Sequence, residues 1–273
     1  MTDPAPVPDP KAVIGSAFSA AAPTYDAVIE FFAPFGRALA LAADLHPGER
    51  VLDVACGRGA SLYPALDAVR PGGCVVGVDL AHAMVDRLQS ALLADGVTDA
   101  EVTQGDAEAL AAGDASFDVV LAGFMIFFVP DPPQVLAELH RVVRPGGRVA
   151  LSIFDGPPSW PWLADVVREV IGEPPARPSD EFNKASVLDS ALDAAGFAAP
   201  TATEVTERFV FENLDTVEAW QRSHAGRLLL DRLDDLQLQR YLGLMAERLE
   251  DHRVDGGFEL VQRARMTVAT RPT

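Results

Sequence analysis

The sequence is poor in cysteine and in positive charge, and both shortages exclude classes of protein. Its 273 residues include 2 cysteines, too few for a disulfide framework, and no CxxC pair or cysteine–histidine cluster indicates zinc. Lysine and arginine number 22 against 40 acidic residues, which gives a formal charge of −18. A nucleic-acid site needs positive surface to displace counterions. We therefore expect neither nucleic acid nor an anionic membrane as a partner.

Long apolar runs and a targeting signal are also missing. The longest apolar run, residues 119–130, is shorter than the roughly 20 residues that span a bilayer. Residues 1–11 carry aspartates where a signal peptide would be basic and then apolar. A content of 49% hydrophobic residues and a mean hydropathy of +0.13 are enough for a core. We expect a cytoplasmic protein with one large domain, and the composition leaves a homodimer open.

Short apolar runs alternate with helical patterns through the middle of the chain. The predicted strands are residues 51–54, 74–79, 101–103, 117–122 and 148–154. Helical patterns lie between most of them, and such alternation is typical of βαβ units. The sequence therefore predicts an α/β fold, with a doubly wound and mostly parallel sheet that helices cover on both faces.

The two ends of the chain are predicted to cover this sheet. Residues 1–14 are a predicted disordered tail, and residues 15–45 a helical lid whose two helices split near residues 34–36. Strands at 203–211 and 258–269 complete a seven-stranded sheet. The core is placed at residues 46–273, with helical cap segments at about 156–182 and 213–256.

A glycine-rich turn follows the first predicted strand, in the segment VLDVACGRG. Gly57 and Gly59 let backbone N–H groups approach a ligand, and Asp79 ends the next strand, where a carboxylate can bind ribose hydroxyls. A dinucleotide site needs a third glycine where this chain has Leu62. Asp53, just before the turn, is placed to repel phosphate and attract an ammonium group. The pattern indicates adenosine that carries an amino acid.

Five segments resemble the class I S-adenosylmethionine-dependent methyltransferases, especially the branch with the ubiquinone and menaquinone C-methyltransferases and many natural-product enzymes. They are VLDVACGRG, GVDLAHAMV, QGDAEAL, FDVVLAG and HRVVRPGGRVALS, within residues 48–155. Ala55 stands where that family usually has its first glycine. The resemblance implies a Rossmann-like fold, S-adenosylmethionine as cofactor and a small-molecule substrate. Residues outside these segments match loosely and are expected to set substrate choice.

The resemblance also implies roles around the methionyl and ribose parts of the cofactor. Gly57 and Gly59 would pass close to the methionyl part, and Asp53 would lie near its ammonium group directly or through water. Asp79 would hold the ribose diol. Both glycines also fit a plain tight turn of any α/β protein. The predicted cofactor set further includes Ala55, Met84 and Gly105.

Further roles concern adenine and the cover of the site. Leu80 would pack on adenine, Asp106 would accept from its amino group, and the N–H of Ala107 would donate to the ring. The carbonyl of Ala122 would meet the ammonium group. Tyr25 occupies a place in the N-terminal helices from which related enzymes close over the cofactor. The structural alternatives are a turn cap for Asp106 and a core position for Tyr25.

Substrate chemistry is predicted from the segments outside the cofactor motifs. His224 lies in the expected cover and is the candidate general base, with a solvated helix histidine as the alternative and Asp155 as a weaker candidate. Metal-dependent catechol enzymes place acidic residues after the fourth strand, where this chain has FMIFF, so we predict no metal site. The expected apolar pocket, whose members could also be plain core, consists of Phe124, Phe127, Phe128, Trp160 and Trp220.

Two functions remain open from the sequence. The first is metal-independent transfer of a methyl group to oxygen or carbon of a hydrophobic small molecule in specialised metabolism. The second is cofactor binding without methyl transfer, as a structural partner or as a cyclase that uses the sulfonium charge. The motif set is compatible with both, and the first is the commoner use of such a fold.

Overall fold

One mixed sheet organises the chain. In this computed structural model the described residues are 9–156, 160–172 and 178–273. Seven strands follow the order β3-β2-β1-β4-β5-β8-β6, and a short β7 pairs with β8. Strands β1 to β5 are parallel to one another, whereas β8 is antiparallel to both β5 and β6. The strands are β1 Arg50–Val54, β2 Cys74–Asp79, β3 Ala100–Gln104, β4 Phe117–Gly123, β5 Val143–Phe154, β6 Ala198–Phe211, β7 Arg253–Val254 and β8 Gly257–Thr270.

Helices cover both faces of this sheet. Successive residues of a strand point to opposite faces, so Val51 and Leu52 of β1 enter two different apolar cores. The predicted Rossmann-like, doubly wound fold is therefore confirmed. The helices are α1 Pro10–Ala21, α2 Ala33–Ala42, α3 Leu62–Val69, α4 His82–Ala94, α5 Pro132–Val142, α6 Leu163–Ile171, α7 Ala185–Ala194, α8 Leu214–Arg222, α9 Arg227–Leu230 and α10 Asp235–Leu249.

The strand order reverses direction at β1, which lies between β2 and β4. Val54 pairs with Val78 of β2 and with Ala122 of β4, so the residues after these three positions lie at one edge of the sheet. Open α/β sheets bind ligands in the crevice at this switch point. The fold thus brings the glycine turn, Asp79 and Gly123 together.

The N-terminal helices begin at other residues than predicted. Helix α1 begins at Pro10, so the predicted tail of residues 1–14 overlaps it; residues 1–8 lie outside the described residues. The side chain of Asp9 caps this helix by accepting from the N–H of Lys11. The predicted break near residues 34–36 is also wrong. Pro34 lies in the first turn of α2, where a missing N–H costs nothing.

Helix α2 belongs to the core and is not a separate lid. Its Phe35 and Leu39 are buried, 0% and 1% exposed, in the apolar core that holds Val51. Gly36 allows the helix to approach the glycine turn, because a Cβ there would lie 2.0 Å from the carbonyl oxygen of Ala60. Of the lid predicted at residues 15–45, α2 and the Phe31 side chain before it belong to the core.

The C-terminal part keeps the predicted organisation with longer strands. Strand β6 begins at Ala198, five residues before the predicted start, across a register irregularity between Ala198 and Thr201. Helices α8 to α10 fill the segment between β6 and β7. The cap predicted at about 156–182 falls partly outside the described residues, which there contain α6 and a 3₁₀ turn at Asp180–Asn183. No helix of the described residues has the length and apolar character to cross a membrane.

Candidate active site

A cavity of about 1170 Å³ opens at the carboxyl ends of β1, β2 and β4. One side, here called the cofactor half, is lined by the glycine turn, the end of β2 and residues 105–108. The opposite side, the acceptor half, is lined by aromatic residues at and just before the start of α2, by side chains after β4, by Trp160 and by the end of α8. Every predicted site residue except Asp53, Ala122 and the weaker base candidate Asp155 lines this one cavity. The structure therefore brings the two predicted subsites together.

The glycine turn exposes backbone to the cavity. Ala55, Gly57 and Gly59 have φ values of 57°, 53° and 89°, in the left-handed region. No atom lies within 4 Å of a Cβ built on Gly57, so this residue leaves open space where a ligand can approach. A Cβ on Gly59 would lie 2.9 Å from Leu88, so that glycine serves packing instead. Ala55 adopts the left-handed conformation with a side chain, which costs about 1–2 kcal/mol.

Asp79 holds the turn in place from the end of β2. Its two carboxylate oxygens accept from the N–H groups of Gly57 and Ala81, each at 2.8 Å. Burial raises the pKa of this carboxyl, while the two backbone donors lower it. The side chain lines the cavity, and its remaining lone pairs are available to a ligand hydroxyl.

Asp53 lies behind the turn and does not line the cavity. It is fully buried, and both of its oxygens accept from the Ser61 hydroxyl, at 2.9 and 3.1 Å. Burial raises its pKa to about 7, the Ser61 hydrogen bond lowers it, and the charge of Asp79 raises it. Asp53 is therefore not placed for direct contact with a ligand in the cavity, and its predicted role near an ammonium group through water stays a prediction. Ala122 is likewise inside the sheet, paired with Val54, and the next residue, Gly123, lines the cavity.

At the far end of the cofactor half, an N-terminal lysine contacts the predicted adenine acceptor. Lys11 Nζ lies 2.6 Å from a carboxylate oxygen of Asp106 and 2.5 Å from Glu108. The other oxygen of Asp106 accepts from the N–H of Glu108 at 2.9 Å. Gly105 is required here, because a Cβ would lie 2.8 Å from Val78. Helix α1 is thus tied to the adenine end of the cavity.

Tyr25 lies between the two halves. It belongs to the turn segment between α1 and α2, and not to a helix as predicted. Its ring stacks on Phe32 with centroids 5.8 Å apart, and its centroid lies 4.5 Å from that of His224. Burial raises its pKa, as do the charges of Asp26 and Asp79. The phenol is therefore neutral and lies within reach of both subsites.

His224 lies just after α8 and is 8% exposed, so the alternative of a solvated histidine is wrong. Its Nδ1 lies 2.9 Å from the carbonyl oxygen of Trp220 and 2.8 Å from the Ser223 hydroxyl. Because a carbonyl only accepts, the contact with Trp220 favours the tautomer that has the proton on Nδ1 and the lone pair on Nε2. Nε2 is buried and has no hydrogen-bond partner among the described residues. Burial lowers the pKa to about 4, more than the Trp220 carbonyl raises it.

Aromatic rings form the wall of the acceptor half. Phe124 has a φ of 50°, an uncommon conformation for a bulky residue, and its N–H donates to the carbonyl and hydroxyl oxygens of Ser152, each at 3.1 Å. Its ring lies 4.5 Å from Phe154 and 5.3 Å from Phe32. This strained backbone at the end of β4 directs the ring into the wall. Asp155, the weaker base candidate, does not line the cavity.

Several lining residues were not predicted. Lys11 lay in the supposed tail, and no local signal pairs it with Asp106. Arg58, inside the glycine motif, donates to the carbonyl of Ala22 at 3.0 Å, and its Nε is buried without a partner among the described residues. Gln221 lies three residues before His224, and that helical spacing could have indicated it.

The strand order, the glycine turn after β1 and the acidic end of β2 define a nucleotide-binding α/β fold of the methyltransferase kind. Residues 52–151 match the family described as Methyltransferase domain. The predicted resemblance to class I S-adenosylmethionine-dependent methyltransferases is confirmed over this segment. The narrower ubiquinone and menaquinone branch stays a prediction.

Similar proteins include enzymes named for natural products. Nocamycin O-methyltransferase of Saccharothrix syringae is 43% identical over 143 residues, which are 52% of this chain and 51% of that protein. Aklanonic acid methyltransferase DauC of Streptomyces sp. (strain C5) is 36% identical over 143 residues, 52% of this chain and 65% of that protein. The chain thus matches about half to two thirds of the length of these relatives.

A solved structure shows the same fold over most of the chain. It is that of a protein from Bacillus halodurans C-125 assigned to the methyltransferases, with a TM-score of 0.60 and 22% identity. The match covers 86% of this chain and 98% of that one.

The residues of the cofactor half fit S-adenosylmethionine, the cofactor that the family implies. Gly57 leaves open space, Asp79 offers a fixed acceptor, and the buried N–H donor at Arg58 Nε has no partner among the described residues. The turn is lined by uncharged backbone atoms and surrounded by carboxylates. Such a surface suits the sulfonium and ammonium groups of S-adenosylmethionine better than it suits a phosphate.

Proposed function

We propose that this protein is a metal-independent S-adenosylmethionine-dependent O-methyltransferase of a hydrophobic small molecule in specialised metabolism. The observation that carries the proposal is the lone pair of His224 Nε2, which is buried where the cofactor half meets the aromatic wall. The two natural-product methyltransferases described above support this substrate class. The FMIFF segment supports metal independence, because it places aromatic rings where metal-dependent relatives need oxygen ligands.

In this proposal His224 is the general base. Donation from Nδ1 to the Trp220 carbonyl holds the imidazole in the tautomer whose Nε2 can accept a proton. Bound S-adenosylmethionine supplies an electrophilic methyl group, so the chain needs to align the acceptor oxygen and remove its proton. Tyr25 and Phe32 cover the junction and exclude water.

The first test is cofactor binding by calorimetry. We expect micromolar binding of S-adenosylmethionine and S-adenosylhomocysteine, on the usual affinity scale. Binding of NAD, with no binding of either adenosyl ligand, would contradict the proposal.

The second test follows the product. The protein is incubated with S-adenosylmethionine and a metabolite extract of its source, and S-adenosylhomocysteine is quantified by mass spectrometry together with any compound heavier by one methylene. We expect both to appear, and to be reduced strongly in His224→Gln. If the cofactor binds but is never consumed while an extract compound is isomerised, the protein is a cyclase-type catalyst instead.

A further inference from the structure

One face of α8 and the residues after it carries the polar groups of the acceptor half. Val217 is three and four residues before Trp220 and Gln221, and His224 is four and three residues after them, so these residues share one side. Val217 is fully buried and anchors this side in the core, and the other three line the cavity. These three polar side chains face a space otherwise surrounded by aromatic rings.

Two of the three have buried polar atoms without a hydrogen-bond partner among the described residues. They are the Nε1 donor of Trp220 and the Nε2 acceptor of His224. A buried polar group left unpaired costs about 1–3 kcal/mol, so native proteins keep such groups where a ligand or water completes them. The Trp220 ring is held by contacts with Phe31 and Phe211, with centroids 5.2 and 5.1 Å away, so its N–H direction is fixed.

The third group, Gln221, is oriented by a residue of another helix. Tyr241 of α10 donates from its hydroxyl to Gln221 Oε1 at 3.0 Å, and both side chains are buried, 1% and 6% exposed. The amide oxygen is therefore used within the protein. The amide NH₂ is the donor that Gln221 can offer to the cavity, and Tyr241 is the residue that positions it.

We propose that the acceptor is a hydroxyl conjugated with a carbonyl group, whose oxygen accepts hydrogen bonds from Trp220 Nε1 and Gln221 Nε2 while the hydroxyl faces His224 Nε2. This inference rests on the proposed O-methyltransferase function and names its substrate class: flat phenols or enols beside a ketone. The lone pair of His224 can accept from the O–H group, and the N–H donors of Trp220 and Gln221 can bind the C=O group. The aromatic wall suits its flat, conjugated carbon skeleton.

The two donors also assist the reaction. When the hydroxyl loses its proton to His224 Nε2, the negative charge spreads through the conjugated system to the carbonyl oxygen, where fixed donors stabilise it. An oxygen lone pair then forms the O–CH₃ bond as the S–CH₃ bond breaks and its electron pair stays on sulfur. The products are a methyl ether, S-adenosylhomocysteine and a proton on His224, which passes to water.

The face of α8 argues against a free carboxylate as the acceptor. A neutral His224 directs a lone pair at the acceptor, and the face of Trp220, Gln221 and His224 carries no cation. Asp26 and Glu30 line the cavity together with Arg37 and Arg58, so the charges of the wider lining do not decide between the two acceptors. A neutral hydroxyl ketone avoids the repulsion between a carboxylate and the His224 lone pair.

The test compares two flat probe molecules that differ in the carbonyl. Binding of 1-hydroxyanthraquinone and of 1-anthrol, which lacks carbonyl groups, is measured on the full chain saturated with S-adenosylhomocysteine, and turnover is measured with S-adenosylmethionine. We expect the quinone to bind at least tenfold more tightly than 1-anthrol. Trp220→Phe and Gln221→Leu should each reduce this ratio of affinities severalfold. Tyr241→Phe should also reduce the ratio, because it keeps the Gln221 amide but removes the hydroxyl that orients it.

A matched control is Trp162→Phe. Trp162 Nε1 donates to His252 Nε2 at 3.0 Å and the residue does not line the cavity, so the ratio should stay unchanged. Equal affinity of the two probe molecules, or a ratio that Trp220→Phe and Gln221→Leu leave unchanged, overturns the inference. Methylation of a benzoic acid in preference to the quinone overturns it as well. If the protein does not bind S-adenosylhomocysteine, the proposed function fails. The affinities for 1-hydroxyanthraquinone and 1-anthrol, measured without S-adenosylhomocysteine, then still decide this inference.

Discussion

The two halves of the cavity are built in different ways. The cofactor half consists of short contiguous segments in which backbone hydrogen bonds hold the functional side chain, as Gly57 N–H holds Asp79 and Glu108 N–H holds Asp106. The acceptor half is assembled from side chains of distant segments, such as Phe32, Phe124 and Trp220, that meet only through packing.

The halves also differ in how their polar atoms are satisfied. In the cofactor half, the carboxylates of Asp79 and Asp106 have protein partners before any ligand arrives, although Arg58 Nε has none among the described residues. In the acceptor half, Trp220 and His224 keep buried atoms without partners among the described residues. The carboxylates of the cofactor half are therefore preformed, whereas two polar groups of the acceptor half are left for a ligand to complete.

Substitution of His224 should have the largest effect and should act on one half alone. We expect His224→Gln to lower the methyl-transfer rate by about 100-fold or more, the usual contribution of a general base. Affinity for S-adenosylhomocysteine, measured by calorimetry, should change less than threefold. His46→Gln, at an exposed histidine away from the cavity, is the control. An unchanged rate would show that the acceptor needs no base from this residue.

Substitution of Asp79 should act on the other half. Asp79→Asn keeps the shape and loses the charge, and a charge-assisted hydrogen bond contributes about 1.5–3 kcal/mol, so affinity for S-adenosylhomocysteine should fall about 10- to 100-fold. Asp86→Asn on α4, whose residue does not line the cavity, is the matched control. Equal affinities of the variant and the parent would remove Asp79 from the cofactor site.

The pKa of His224 predicts a change of stability with pH. Its folded-state pKa of about 4 lies below the ordinary value of 6.5, so between these values the unfolded chain binds a proton that the folded chain does not. Stability therefore falls as pH falls through this window, by about 1.4 kcal/mol per unit for this group. Denaturant unfolding at pH 7 and pH 5 should show a larger loss for the parent than for His224→Gln, with a difference of about 2 kcal/mol.

Asp53 has the opposite dependence, which makes the comparison of variants necessary. Its raised pKa of about 7 adds stability below the unfolded value and loses it as pH rises through 7. The difference between parent and His224→Gln cancels this contribution. A difference that does not depend on pH would contradict the buried, neutral histidine.

The N-terminal cover should matter less and should not affect the fold. Removal of residues 1–22 deletes α1 with Lys11, and we expect cofactor affinity to fall about tenfold, or 1.4 kcal/mol. The circular dichroism spectrum should lose only the helical signal of the 12 residues of α1. Phe35→Ala, in contrast, should destabilise the fold by about 3–5 kcal/mol because α2 is part of the core. If the shortened chain binds cofactor as tightly as the full chain, α1 is no cover of the cofactor half.

The smallest expected effect is that of a chelator. Aromatic side chains stand at residues 124–128, so turnover should be the same within error with and without EDTA. Loss of turnover that magnesium restores would contradict the metal-independent mechanism, and S-adenosylhomocysteine binding measured in parallel would show whether the loss lies in the acceptor half.

The difference between local and long-range construction explains how much of the molecule could be predicted. The sequence places Gly57, Asp79 and Asp106 near the cavity because a turn and two strand ends suffice to locate them. The predicted tail at residues 1–14 and the predicted break near residues 34–36 were wrong because proline begins helices as well as ending them.

The contacts of Lys11, Gly36 and Gln221 were not predictable, because each depends on a partner far away in the chain. Lys11 meets Asp106, the Gly36 backbone meets Ala60, and Gln221 meets Tyr241. Long-range packing decides such pairs, and no local pattern encodes it.

The position of Tyr25 has a consequence for the order of events in a catalytic cycle. The charge of Asp79 raises the pKa of its phenol, and its ring contacts His224, so one side chain borders both halves of the cavity. Under the proposed function, a cofactor that contacts this ring favours binding of the acceptor, and the acceptor in turn favours retention of the cofactor. Such linkage is reciprocal: the factor by which S-adenosylhomocysteine raises acceptor affinity equals the factor by which the acceptor raises affinity for S-adenosylhomocysteine.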